Sequence, residues 1–579
     1  MPDFTAPGAY VEETAFRARP IEGVGTTTAL FVGPARSGPV AGAGEASDDF
    51  PLLTSLADFE RVYGRPAALR FHGATAINYL AHAARTYFQE GGSRLHVARV
   101  ATVSQAPGDG GATAASAVLA AGDAAGALAI HAAFPGEAGN GTVTVTETAT
   151  PATAAMLASA PAGSWLRTGG DGTSADFLKT GDAWVACTDP EAVVHDAGAL
   201  LSRQPRLLAL DVAFVDADGR EAVWRALGYD RRHPRWAGEV LSSHNARRLW
   251  HPLLLQVGER VDAASLRSML LGNAAAGAQG TTRCQWPLSG GSDGPAPTAD
   301  EYGHALRLAG TLQEVSTVAA PGADVAMQAL VAHVDGSRNR RFAVLDPPQG
   351  LDIAQVRALR RSLDTAHAAL YYPWVAIARA GAGAGPGDGP PETLLLPPSG
   401  FLCGIYARTD VERGVHKAPA NEVLRTAIGF ERAIDRARQD VLNAEGVNCL
   451  RWFEGRGHRV WGARTLSSDP QWKYVPVRRH LDYLQSSIER GTQWAVFEPN
   501  DERLWASLRQ RIGDFLLAEW RTGALQGTTP EQAFFVRCDR STMSQADLDA
   551  GRVVCLVGVA PIKPAEFLVF RVGQATAAA

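Results

Sequence analysis

Gly290-Gly291-Ser292-Asp293-Gly294 reproduces the Gly-x-Ser-x-Gly spacing that puts a serine nucleophile on a sharp turn between a strand and a helix. Ser292 is therefore the residue on which acyl-transfer chemistry would rest. The turn needs a helix directly behind it, however, and Pro295 and Pro297 follow instead. His233, His244 and His251 stand among Arg and Trp residues without His-Glu-x-x-His spacing, and read as packed or solvated side chains rather than metal ligands. The glycine-rich run Gly381–Pro391 lacks the Gly-Lys-Ser/Thr of a phosphate loop. The adjacent carboxylates Glu12-Glu13 and Asp48-Asp49 would point to opposite faces of a strand, which leaves no paired acid and base. Catalytic, cofactor-binding and metal residues are all expected to be absent, and the chain reads as no enzyme.

The elements that would carry any function belong to a large mixed protein. At 579 residues, with 46% hydrophobic and 20% charged, the chain has the profile of a globular multidomain protein. A net charge of −5 gives no global pull toward nucleic acid or anionic membrane. Six scattered cysteines with no Cys-x-x-Cys pair suggest reduced thiols. The opening MPDFTAPGAYVEE has neither a basic nor an apolar signal region, so a cytoplasmic origin without signal peptide is expected. Eight basic and four acidic residues between Gly446 and Arg490 make a local net +4. That patch reads as a partner-binding or solvated face, because Trp452, Trp461 and Trp472 fit strand positions better than a base-stacking platform.

Periodicity divides the chain into six regions: an extended arm (1–22), a middle domain's first part (23–103), an Ala/Gly/Thr-rich inserted outer domain (104–280), the middle domain's second part (281–402), a core domain (403–563), and a C-terminal strand with a small-residue tail (564–579). Strands are expected at Thr26–Val32, Leu95–Val100, Gly141–Thr148, Thr317–Ala319 and Arg341–Leu345, with a helix near 73–88 carrying Ile77, Leu80, Ala84 and Phe88 on one face. Their alternation predicts a partly parallel sheet. In the last third, Val477, Leu481, Leu484 and Ile488 form one helical stripe, and Leu504, Leu508, Ile512 and Phe515 another. Asn500 or Asp501 is placed to cap the second helix, Gln493–Phe497 reads as a short strand between the two, and strands follow at Ala533–Cys538, Val553–Val559 and Glu566–Val572.

These residues resemble the contractile-tail sheath proteins of myophages, pyocin-like particles and extracellular contractile injection systems. The resemblance is carried by Pro7–Glu13, Arg19–Val24 and Thr26–Gly33 at the start, Leu288–Gly294 and Val318–Gly322 in the middle, and Pro397–Gly400, Gly414–Asn421, Asn443–Asn448, Gly462–Leu466, Tyr474–Arg479 and Phe497–Asn500 toward the end. Residues 104–280 carry none of it.

The resemblance implies an α+β / α/β multidomain fold: a C-terminal sheath core domain facing the inner tube, completed by N- and C-terminal strand arms, with an outer insertion. It implies a structural subunit that polymerises with itself as stacked hexameric rings around an inner tube, and contracts to drive that tube through a target envelope. Baseplate and cap proteins are the further partners; nucleic acid, membrane insertion and cofactors are not expected. The particle would be a phage tail or a cytoplasmic or released injection machine. Ala9, Tyr10, Val11, Glu12 and Glu13, with Phe567, Leu568, Val569, Phe570 and Arg571, are strand-forming segments at the extreme termini, free to pair with a neighbouring chain. Pro20, Gly23, Gly25, Pro561 and Pro564 are the expected hinges of those arms. Arg478, Arg479, Arg490 and Arg509 are candidates to face the tube or a neighbour. Two rival readings are a hydrolase built on Ser292, against which Pro295 and Pro297 argue, and a tube or baseplate-proximal component of the same machine, against which the chain length and the paired strand arms argue.

Overall fold

The computed structural model describes residues 20–43, 49–104, 109–120, 126–169, 175–187, 200–245, 247–272, 281–336, 340–379 and 393–567. The fold is α+β and multidomain, and it divides into two units. The larger comprises Thr27–Arg408 and Pro419–Ser468; the smaller comprises Met1–Thr26, Thr409–Ala418 and Asp469–Ala579.

A seven-stranded sheet organises the larger unit, in the order Gly457–Trp461, Val447–Phe453, Ala368–Tyr372, Phe342–Leu345, Thr317–Ala319, Thr28–Gly33, Arg94–Arg99. Neighbours are parallel throughout except at one edge, where Gly457–Trp461 runs antiparallel to Val447–Phe453. All six residues of Thr28–Gly33 and all five of Ala368–Tyr372 are buried, the pattern of parallel strands covered on both faces. Leu30, Val318, Leu345, Leu370 and Val447 share one core with Leu306 and Leu330 of the crossover helices Ala299–Leu308 and Met327–Gly336.

Two expectations shift here. The helix near 73–88 starts at Tyr79, because the Asn78 side chain accepts the Ala81 N–H at 3.1 Å and caps it. Ala74–Ala76 pairs instead with Leu69–Phe71, which leaves Ile77 exposed rather than on the buried face. The boundary expected at 403 lies at 468/469. Val447–Phe453 pairs in parallel with Ala368–Tyr372, so residues 419–468 belong to the larger unit's sheet.

The inserted region builds a second, antiparallel sheet around Thr142–Pro151 and Arg206–Val215, which match over ten successive positions. Thr281–Pro287 pairs with Thr142–Pro151, so the insertion closes after residue 287 and not at 280. The Gly-Gly-Ser-Asp-Gly run just beyond it is a joint. Asn140 exchanges two 2.8 Å hydrogen bonds with the Gly291 backbone, and Ser292 and Thr113 exchange two of 3.0 Å. Asp293, almost fully buried, accepts the Glu137 N–H at 2.9 Å and the Arg70 N–H at 3.0 Å. Arg36 reaches Asp293 at 3.6 Å and forks onto Asp218 at 2.7 and 3.1 Å. The Ser292 hydroxyl accepts the Gly294 N–H at 3.1 Å, and the next helix begins only at Ala299. This is a clasp between elements, with no nucleophile elbow.

The smaller unit consists of helices Val475–Gly491 and Glu502–Arg521 and a hairpin, Phe534–Arg537 with Leu556–Val559. Both expected helical stripes are present. Of the two expected caps it is Asp501 that acts, accepting the N–H groups of Arg503 and Leu504 at 3.0 and 2.9 Å. Gln493–Phe497 is no strand. Gln493–Ala495 is a 3-10 turn, and no described strand lies beside it to pair with; a five-residue apolar run does not distinguish the two. No helix among the described residues is long and apolar enough to cross a membrane.

Candidate assembly surface on the smaller unit

Helix Val475–Gly491 presents Arg479, Tyr483, Ser487 and Gly491 at intervals of four, one stripe along its length. The segment following Pro20 lies against that stripe. Ile21 is buried at 7% exposure among Leu484, Ile512, Phe515 and Leu516. A Cβ on Gly491 would come within 2.7 Å of Ile21 Cγ1, and one on Gly23 within 2.2 Å of the Tyr483 hydroxyl, so both glycines are needed for the fit. The Val24 N–H donates to Ser487 Oγ at 3.0 Å, and Arg479 donates to the Thr26 carbonyl at 3.3 Å.

The other chain end is held at the opposite end of the same helix. Tyr474 donates its hydroxyl to the Glu566 carboxylate at 3.1 Å, and Lys473 Nζ stands 3.9 Å from it. Seventeen residues of helix, about 25 Å at 1.5 Å per residue, separate the two anchoring points.

Charged groups brace the helix from behind. Arg479 grips Asp410 at 2.6 and 2.9 Å with both side chains at most 3% exposed. Arg478 pairs with Asp482 one turn on at 2.8 Å and lies 4.3 Å over the Trp472 ring. These two arginines were candidates to face a tube or neighbour; they are buried and committed to internal carboxylates, which corrects that expectation. Arg490 and Arg509 are exposed. Arg509 donates to the Cys538 carbonyl at 3.1 Å. Beside them Tyr483 donates to Glu519 at 2.9 Å, and His480 stands 3.6 Å from the same carboxylate. Burial pushes the Glu519 carboxyl up, but the His480 and Tyr483 contacts outweigh it and hold the group below its ordinary value. Burial, with His480 nearby, pushes His416 down.

The hairpin has one packed face and one bare face. Phe534, Val536 and Val559 pack on the helices, while Phe535 and Leu556 are about half exposed on the other side. Among the described residues no third strand joins it, so both edges keep unpaired backbone groups. Phe497 stands fully in solvent at a left-handed φ of 69°, in the loop between the helices. Asn500 fixes that loop by accepting the Trp505 indole N–H at 2.7 Å. The sequence marked Phe497–Asn500 as a family signature, but nothing in it signalled that the phenylalanine would be presented outward.

Of the expected hinges, Pro20, Gly23 and Gly25 are all exposed, and Gly23 also lies against the Tyr483 side chain. Pro561 bridges to Leu525, and Pro564, half-buried, lies beyond it. The arm residues Ala9, Tyr10, Val11, Glu12, Glu13, Leu568, Val569, Phe570 and Arg571 lie outside the described residues; Phe567 is the last one described and is exposed. No group of His, Cys, Asp or Glu among the described residues is arranged to hold a metal ion.

Two consecutive family models cover the second half of the chain. The phage tail sheath protein central domain matches residues 297–466, and the phage tail sheath C-terminal domain matches 467–575. Their junction falls within two residues of the boundary between the two units. The chain belongs to the contractile tail sheath family. A putative prophage major tail sheath protein of Pseudomonas aeruginosa is 28% identical over 261 residues, 44% of this chain and 63% of that protein. The tail sheath protein of Burkholderia phage BcepMu is 29% identical over 206 residues, 32% of this chain and 41% of that one. The chain thus spans less than two thirds of the length of these curated sheath relatives. The helical sheath of the anti-feeding prophage in its contracted state has the same fold, with a TM-score of 0.52 at 20% identity over 99% of this chain and 100% of that chain. The relatives are structural tail sheath proteins, and this sheath-family chain is not an enzyme; nothing in the relatives or in the Ser292 geometry supports a hydrolase.

Proposed function

We propose that this chain is the repeating subunit of a contractile sheath, stacked as hexameric rings around an inner tube. Neighbouring copies lend their terminal strand segments to its hairpin. The observation that supports this reading is that the segment from Ile21 to Val24 and Glu566 are held about 25 Å apart along one helix, beside a hairpin that no third strand joins among the described residues. A two-stranded hairpin is marginal alone and gains from added strands. A seven-residue arm reaches roughly 23 Å at about 3.3 Å per residue, enough for several ladder hydrogen bonds. Each such bond nets only about 1 kcal/mol, so one arm is weak while a lattice of arms holds.

Contraction would convert a kinetically trapped extended lattice into a compact one that buries more surface between subunits. The arms would stay paired while the cores rotate, pivoting at the exposed Pro20 and the half-buried Pro564 rather than at Gly23, which lies against the Tyr483 side chain. The inner tube, baseplate and cap proteins are the proposed partners, with the exposed Arg490 and Arg509 as candidate contacts. Negative-stain electron microscopy of the expressed chain should show hollow tubes. Deleting residues 1–15 should leave a soluble subunit that forms none, and normal tubes from that deletion would sink the strand-exchange reading.

A further inference from the structure

The hairpin register runs Phe534↔Val559, Phe535↔Gly558, Val536↔Val557 and Arg537↔Leu556; continued by one position beyond the end of the ladder, it sets Cys538 opposite Cys555, and the two pack in one cluster. The type of that rung follows from the other end. Ala560 N–H donates to the Ala533 carbonyl at 2.8 Å, which makes Ala533 and Ala560 a hydrogen-bonded pair. Pair types alternate along an antiparallel ladder, so five rungs further on Cys538 and Cys555 form a non-hydrogen-bonded pair, the closer type with Cα atoms about 4.5 Å apart. That separation lies within the range a disulfide spans. The Cys538 carbonyl is free of the ladder there and takes a donor from Arg509 instead. Cys538 is fully buried; Cys555, packed on the same apolar cluster, is half-buried and the more approachable.

The geometry points to Cys538 and Cys555 as an oxidisable pair that closes into a disulfide across the base of the hairpin. The oxidant is a small disulfide such as glutathione disulfide. The Cys555 thiolate attacks one of its sulfurs, forming a mixed disulfide and releasing one glutathione thiolate. Cys538, losing its proton, then displaces the second glutathione. The protein dithiol loses two electrons, one reagent disulfide becomes two thiols, and the atoms balance. Burial beside Cys538 pushes the Cys555 thiol up to about 12, so little thiolate is present and closure is slow, needing sustained exposure to a disulfide. The link would brace residues 539–554 and fix the strand spacing of the hairpin.

The full chain is incubated with glutathione disulfide, alkylated with iodoacetamide, and digested without reduction for mass spectrometry. The expected product is a peptide pair joining Cys538 to Cys555, with both thiols missing from the alkylated set. Cys555→Ser should yield no such pair. Hydrogen exchange across 534–559 should slow by roughly tenfold on oxidation of the wild type alone. Alkylation of both cysteines, or a link from either to another cysteine, would overturn the proposal, and so would unchanged exchange in a linked chain. The bond forms within the single subunit, so its failure and a failure to form sheaths are read separately.

Discussion

The larger and smaller units meet the same requirement, that backbone groups and apolar surface be satisfied, in opposite ways. In the larger, the central strands are paired on both sides and buried, and Arg36 draws Asp218, Glu137 and Asp293 into one cluster. In the smaller, the sheet stops at two strands, and the exposed phenylalanines among the described residues, Phe497, Phe535 and Phe567, are found there. The larger unit is complete within one chain. The smaller holds residues 21–26 and Glu566 along one helix, and its two-stranded sheet is where we propose that strands of another copy add.

The strongest test of that contrast is Arg479→Ala. It leaves Asp410 as an unpaired carboxylate only 2% exposed, and it removes the donor to the Thr26 carbonyl. Losing one partner of a buried pair costs about 3–5 kcal/mol. Amide hydrogen exchange should therefore rise by orders of magnitude across 475–521 while the strands Thr28–Gly33 and Ala368–Tyr372 keep their protection. Equal loss in both units would mean that they unfold as one, and the division of roles would fail.

How much of this was legible in the sequence depends on how local the cause is. The two long helices were readable because Leu481, Leu484, Ile488 and then Leu504, Leu508, Ile512 repeat on one face. Thr317–Ala319 was readable because a parallel core strand is a short apolar run between turn residues. The burial of Arg478 and Arg479 was not, because it depends on Asp410, whose place beside Arg479 is set 69 residues earlier. The place of Val447–Phe453 was not legible for the same reason: only its pairing with Ala368–Tyr372 joins it to the larger unit's sheet. The Ser292 turn was correctly discounted from its prolines, but its role as a clasp needed Asn140, Thr113 and Arg36, all more than 150 residues away.

A smaller effect sharpens the contrast through pH. In the larger unit burial pushes His333 down to about 4, and Arg341 donates a 2.9 Å hydrogen bond to its Nε2, which requires a neutral ring. Unfolded, this histidine binds its proton below its ordinary value of 6.5. Between that pH and about 4 the unfolded chain therefore holds a proton that the folded chain refuses, and stability falls as the solution is acidified. With solvent screening the loss is on the order of 1 kcal/mol. His333→Gln keeps an acceptor for Arg341 and should flatten the fall in urea midpoint between pH 7 and pH 5. An unchanged pH slope in the variant would place the titration elsewhere.

The smallest expected effect on the free subunit comes from Phe535→Ser, and it tests the contrast most directly. Phe535 is 51% exposed with its ring over Gly558 on the bare face of the hairpin. An exposed side chain on a protein that needs no partner shifts stability by no more than about 0.5 kcal/mol, and the melting temperature of the single subunit should barely move. If the hairpin is completed by strands of other copies, the same substitution removes a cross-strand contact worth about 0.2–1 kcal/mol at each subunit, repeated at every position in the lattice. Tube formation, measured by pelleting across a concentration series, should then need several-fold more protein. Equal pelleting of variant and wild type would mean that the bare face stays bare in the assembly, and the smaller unit would be as self-contained as the larger.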